Sequence, residues 1–144
     1  MIARFVRIAG LAAFAVAFFL PAVRERSNVY EGWQCAAITL GSVIHPFEGL
    51  SVHVRAVDVL AGIPFILDGW VNPLMAAYLI MLMFRGFLRT RRVLSCAILV
   101  CLISCWVVIG TGLVPLIGHF LWAGGILLIL SPEFLGLFRV QNAK

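Results

Sequence analysis

The chain has 144 residues, 63% of them hydrophobic and 12% charged, with a mean hydropathy of +1.10. Soluble domains run to roughly 45–50% apolar residues, and a core of this size leaves too much apolar surface uncovered in water, so an ordinary soluble domain is excluded. The formal net charge of +5 suggests an acidic partner, yet most basic residues stand at the ends of apolar segments, which excludes a nucleic-acid face and assigns them to orientation and to anionic lipid head groups.

Residues 5–23 are predicted as a first transmembrane helix. Arg4 and Arg7 precede an apolar run from Ile8 to Leu20, and Pro21 stops it. A secretory signal peptide shares this basic start and short apolar centre; a retained helix running from cytoplasm to exterior is the favoured reading. Residues 24–63 form an outer segment carrying Arg24, Glu25, Arg26, Glu31, Glu48, Arg55 and Asp58. Its apolar run, residues 33–44, falls short of the roughly 20 residues needed to cross a hydrocarbon core. Residues 32–44 are therefore predicted as an interfacial or re-entrant helix, opened by Glu31-Gly32-Trp33 and stopped by His45-Pro46, with Trp33 at head-group level. Residues 51–61 fit either a short strand or an amphipathic helix on the membrane, with helix favoured.

The second crossing, residues 64–84, runs outside to inside. Asp68-Gly69 invites a turn and Pro73 bars a helical bond to the preceding turn, so the continuous helix is expected to start near Asn72 with Pro73 as its first residue. Arg85, Arg89, Arg91 and Arg92 then anchor the chain at the cytoplasmic side. Residues 93–113 cross back without a charge and are rich in small residues, Ser95, Cys101, Ser104, Cys105, Gly110 and Gly112, that let helices approach closely. Val114-Pro115 turns the chain, and residues 116–138 return it with Gly118, His119, Trp122, Gly124 and Gly125. Ser131-Pro132-Glu133 reads as a helix N-cap. Residues 134–140 are thus expected as a separate short helix, completing the span or lying along the inner surface, with Arg139 and Lys144 as anchors. This drawing puts eight of eleven basic residues inside, and Glu25, Glu31, Glu48, Asp58 and Asp68, five of six acids, outside.

The cysteines Cys35, Cys96, Cys101 and Cys105 are expected as unbridged thiols, those of the third span serving as small, polarisable helix contacts. Candidate binding residues gather at the outer face: Asp68, Trp70, Asn72, His119 and Trp122. The outer ends of spans two and four face the same layer, so Asp68, Asn72 and His119 are expected to share a pocket. An ionisable side chain within a span is a functional hypothesis by default. His119 is the sharpest, a carboxylate such as Asp68 being able to hold its tautomer; a packed histidine bonded to a carbonyl is the competing account. His45, Glu48, His53 and Asp58 have the side chains of metal ligands, but Pro46 spoils the helical spacing of His45 and Glu48. No phosphate-binding glycine loop, HExxH, GxSxG or Cys-x-x-Cys occurs, and no catalytic or metal-binding residue is assigned. One histidine does not specify a porphyrin or chlorin, so pigment, quinone and haem stay unassigned and the cofactor is unknown.

Three short motifs carry a resemblance: Gly32-Trp33, Gly69-Trp70-Val71-Asn72-Pro73-Leu74, and Gly118-His119-Phe120-Leu121-Trp122. Over residues 32–130 the chain resembles a group of small, uncharacterised bacterial inner-membrane proteins with four predicted spans. It departs from them at His119, where they more usually carry Tyr, and at Gly124-Gly125, where they carry Ala-Ser. The resemblance implies the four-span topology and a bacterial inner (plasma) membrane location, and implies no activity.

The sequence thus predicts an all-α, multi-pass integral membrane protein. It has four transmembrane helices in a single domain, both termini cytoplasmic, and the outer segment between helices one and two. The expected function is non-enzymatic intramembrane interaction, as an accessory subunit of a larger membrane complex or an immunity-type protein. The alternative is a small transporter, channel or intramembrane enzyme centred on Asp68, Asn72 and His119. The expected partners are membrane lipid and a membrane protein or a second copy of this chain.

Overall fold

The computed structural model describes residues 2–44, 56–84, 87–110 and 112–141. The predicted stop at His45-Pro46, together with Glu48, His53, Arg85 and Lys144, lies outside the described residues. The chain is mostly helical and divides into two compact units, Met1–Gly32 with Pro115–Lys144, and Trp33–Val114.

The first unit is built on α1 (Ile2–Ala17) and α5 (Ile117–Gln141). The two helices cross where glycine faces glycine. A Cβ at Gly10 would stand 2.9 Å from the Gly125 carbonyl oxygen, and one at Gly125 would stand 2.7 Å from the Phe14 backbone nitrogen. Nearer the N-terminus Arg7 bonds Glu133 at 2.9 Å. Contacts that rise along α5 while they fall along α1 make the pair antiparallel. Backbones this close gain dispersion contact along their length, the means by which helices associate where apolar burial gives no driving force.

Beyond α1 the chain does what composition did not announce. Residues 5–23 do not form one helix: α1 ends at Ala17, since Pro21 pushes the residue before it out of the helical region, and 16 residues span only about 24 Å. Pro21–Glu25 is β1 and Asn28–Glu31 is β2, paired antiparallel with Val23 opposite Tyr30 and Glu25 opposite Asn28. β3 (Val114–Pro115) completes a sheet of order β2-β1-β3, and the Leu116 amide donates to the Ala22 carbonyl at 2.8 Å. The expectation of an all-α chain is corrected to that extent. The hairpin turn holds Arg26 at φ 53°, a conformation that costs a residue with a Cβ about 1–2 kcal/mol. Arg26→Gly is expected to raise the stability of this unit by up to about 1 kcal/mol, read as a shifted unfolding midpoint in detergent.

The second unit holds α2 (Gly32–Ile44, from Trp33 onward), α3 (Ala56–Leu82) and α4 (Leu88–Ile109). α2 starts at Gly32 as predicted and is helical through Ile44, the last described residue before 56. Residues 51–55 lie outside the described residues, and Ala56 onward is helical, as favoured above for that part of the segment. α3 corrects the expected start near Asn72: it is one helix of 27 residues with Pro64 and Pro73 inside it. An interior proline costs about 3 kcal/mol. Ending the helix at Asp68-Gly69 would strand about four backbone groups on each side of the break, and in apolar surroundings that costs more.

α3 and α4 pack through Val71, Met75 and Tyr78 on one side and Ile98, Cys101, Leu102 and Cys105 on the other, all buried. The small residues Ser95, Ser104 and Cys105 are thereby used within the chain. Gly110 caps α4 and Gly112 turns the chain at φ 122°, so these two serve the helix end rather than a helix contact.

α5 corrects a second boundary, since the helix runs through Ser131-Pro132 without a break. Pro132 has no N–H for the Leu128 carbonyl one turn earlier, and the Ser131 hydroxyl donates to that carbonyl instead, at 3.0 Å. The pair that reads as an N-cap is a device for continuing the helix.

Two helices are long and apolar enough to cross a membrane, Leu88–Ile109 and Ile117–Leu135, with a shorter apolar stretch at Ile66–Leu82. Neither stretch is fully covered within the chain. Val93, Val100, Ile103 and Val107 on α4 and Ile117, Phe120 and Leu135 on α5 are exposed.

Candidate functional site

Asp68 is the polar centre of the second unit. α3 carries it in the helix body rather than in an outer loop, within the apolar stretch Ile66–Leu82. Its side chain is half-buried, and the Cys105 thiol on α4 donates to its Oδ1 at 2.6 Å. The same sulfur lies 3.4 Å from the Cys101 carbonyl oxygen, the bond that a helical cysteine makes to the preceding turn. On α2, burial pushes the Cys35 thiol up, and the Asp68 charge pushes it further. The three thiols are free, as is that of exposed Cys96. Among the described residues no three His, Cys, Asp or Glu side chains are gathered as a metal ion requires.

As donor in this bond Cys105 is the thiol, whereas the nucleophilic form of cysteine is the thiolate. The pair is built to tie two helices together, not for attack. Cys105→Ala is expected to leave the half-buried carboxyl without that donor and to lower stability by about 1–3 kcal/mol. Cys105→Ser, which keeps a donor, should lose less. Both are read by denaturant titration of the detergent-solubilised protein, and equal losses for the two variants would refute the assignment.

The other expected site residues divide between the units. Trp70 is exposed and Asn72 half-buried, both on α3 beside Asp68. His119 and Trp122 belong to the first unit, in the opening turns of α5. His119 is buried, with its ring centroid 5.5 Å from that of Trp122 and 6.3 Å from that of Phe120. It sits in an aromatic nest, and its backbone amide donates to the Leu116 carbonyl at 3.0 Å.

Of the arginine cluster, Arg89 and Arg92 are exposed and Arg91 is half-buried. All three fall in the first turns of α4, whose N-cap, Phe87, offers no side-chain bond. Cations at the positive end of a helix dipole cost about 0.3–1 kcal/mol each. Their placement therefore works against the helix and answers to something other than its stability.

Two polar contacts were not expected from the sequence. By sequence Cys105 is a packing residue, and nothing local marks it as the partner of a residue 37 positions away. Arg7 and Glu133 form a salt bridge with side-chain exposures of 27% and 8%. Here a signal existed: Glu133 is the one acid that charge sorting left on the basic side. No protein-family model, curated protein or solved structure matches the chain.

Proposed function

We propose that the chain is a multi-pass protein of the bacterial inner membrane. In this reading it has four spans with both termini cytoplasmic and works by association within the bilayer, as an accessory subunit of a larger assembly or an immunity-type protein. The observation that supports this most directly is the outward-facing apolar surface of α4 and α5. Soluble monomers rarely expose contiguous apolar patches beyond a few hundred Å², and a helix apolar on all sides is buried or in lipid. The arginines at the head of α4, unfavourable for the helix, fit retention of that end in the cytoplasm. Labelling from either side of the membrane is expected to find Glu48 outside and Arg89 inside; finding both in one compartment removes the four-span topology.

Capture in mild detergent followed by mass spectrometry tests the function. Recurrent recovery of one large membrane partner supports the subunit reading. Recovery of the chain alone or only with itself overturns it.

A transporter, channel or intramembrane enzyme is the second reading, and Asp68 is the observation that favours it, because ionisable groups within apolar helices mark transport and proton paths. Asp68→Asn and His119→Ala separate the two. Loss of a measured flux or turnover with capture intact supports the second reading.

A further inference from the structure

We propose that Asp68 is the docking charge for a partner: its carboxylate takes a lysine or arginine carried inside a transmembrane helix of another protein. The proposal rests on the association reading above and adds the chemistry of the partner. Asp68 lies fourteen residues before the end of α3 at Leu82, about 21 Å along a helix. With the arginines that follow held at the inner surface, this level is the outer third of a hydrocarbon core about 30 Å thick.

A carboxylate offers about four acceptor sites. Among the described residues Asp68 receives one hydrogen bond, from a thiol, which is a weak donor, and no ion pair. Neither residues 56–84 nor residues 93–113 contain a Lys or Arg, so the helices that carry and contact this carboxylate bring no cation to its level. A charge in hydrocarbon pairs with an opposite charge or lines a polar path. The residue is not fully buried, so such a group is not shut out by the chain itself.

A second copy does not fit the role. Residues 56–84 and 93–138 carry no Lys or Arg, Arg7 is already bonded to Glu133, Arg4 stands in the first turn of α1, and Arg24 and Arg26 belong to the β1–β2 hairpin rather than to a helix. The partner is therefore a different protein with a basic residue in the outer half of a span, and pairing in a low-dielectric setting selects it over neutral helices.

The test uses the full-length protein in phosphatidylcholine vesicles, which contain no anionic lipid. Energy transfer is measured to synthetic Leu/Ala transmembrane helices that carry one Lys at matching depth, one Gln, or neither. The Lys helix is expected to bind about tenfold more tightly than the Gln helix. That preference should persist in Asp68→Glu and vanish in Asp68→Asn, with the helical circular dichroism of each variant recorded.

Equal binding of the Lys and Gln helices by the unaltered protein overturns the proposal, and so does a preference that survives Asp68→Asn. The wild-type comparison decides on its own if Asp68→Asn does not fold. Capture from the native membrane keeps the two readings apart. A recurrent partner without a basic residue in its spans sinks the Asp68 assignment and leaves association standing. A Lys preference with no recoverable partner does the reverse.

Discussion

Gly125→Ala is expected to destabilise the protein by about 1–3 kcal/mol, and Gly125→Val by more, while Gly124→Ala, one residue away, is expected to be neutral or stabilising by up to about 1 kcal/mol. On helix propensity alone both alanines are favourable by the same amount, so the difference in sign is entirely tertiary. A Cβ on Gly125 meets the Phe14 backbone nitrogen at 2.7 Å and the Gly10 carbonyl oxygen at 2.9 Å, and backbone atoms cannot rotate aside; a Cβ on Gly124 meets nothing within 4 Å. Gly10→Ala should share the fate of Gly125→Ala, since its Cβ meets the Gly125 carbonyl oxygen and the Ile129 backbone nitrogen, each at 2.9 Å. Unfolding in detergent with increasing denaturant measures all four variants. Losses of equal size at positions 124 and 125 would show that α1 and α5 do not cross where described.

The second large effect is at the ion pair between α1 and α5. Glu133→Ala is expected to cost about 3 kcal/mol, because it strands the Arg7 guanidinium within the helix pair, and breaking a buried pair by removing one partner costs about 3–5 kcal/mol. The low end applies here, since Arg7 keeps 27% of its side chain exposed while Glu133 keeps 8%. Arg7→Met combined with Glu133→Met should recover most of that loss, because desolvation of both charges disappears along with their attraction. The double-mutant cycle checks this: additive losses would mean that the two side chains act independently, whatever their separation.

The start of α2 was readable because it is written locally: Gly32 follows a charged Glu31 and opens the apolar run. The prolines of α3 and α5 misled for the same reason that they are informative elsewhere. Pro73 and Ser131-Pro132 have the local grammar of a helix start, but a start also implies an end just before it. The unpaired backbone groups of such an end cost more than the one bond that a proline removes. The hairpin of Pro21–Glu25 and Asn28–Glu31 left only a faint trace, Val23 against Tyr30 around a turn without glycine.

Hydropathy and the sorting of charge were determined by the chain alone: where the apolar segments lie, that α4 and α5 are long enough to cross a bilayer, and which ends are basic. Those properties are sums over neighbouring residues, so no partner is needed to evaluate them. Tertiary structure decided which of two adjacent glycines touches another backbone, that Glu133 pairs with Arg7, and that Asp68 takes its hydrogen bond from a cysteine on the next helix. Each of these depends on the rotation and depth at which two helices meet. A helix apolar on every side does not encode its own rotation, so close packing between backbones had to settle it.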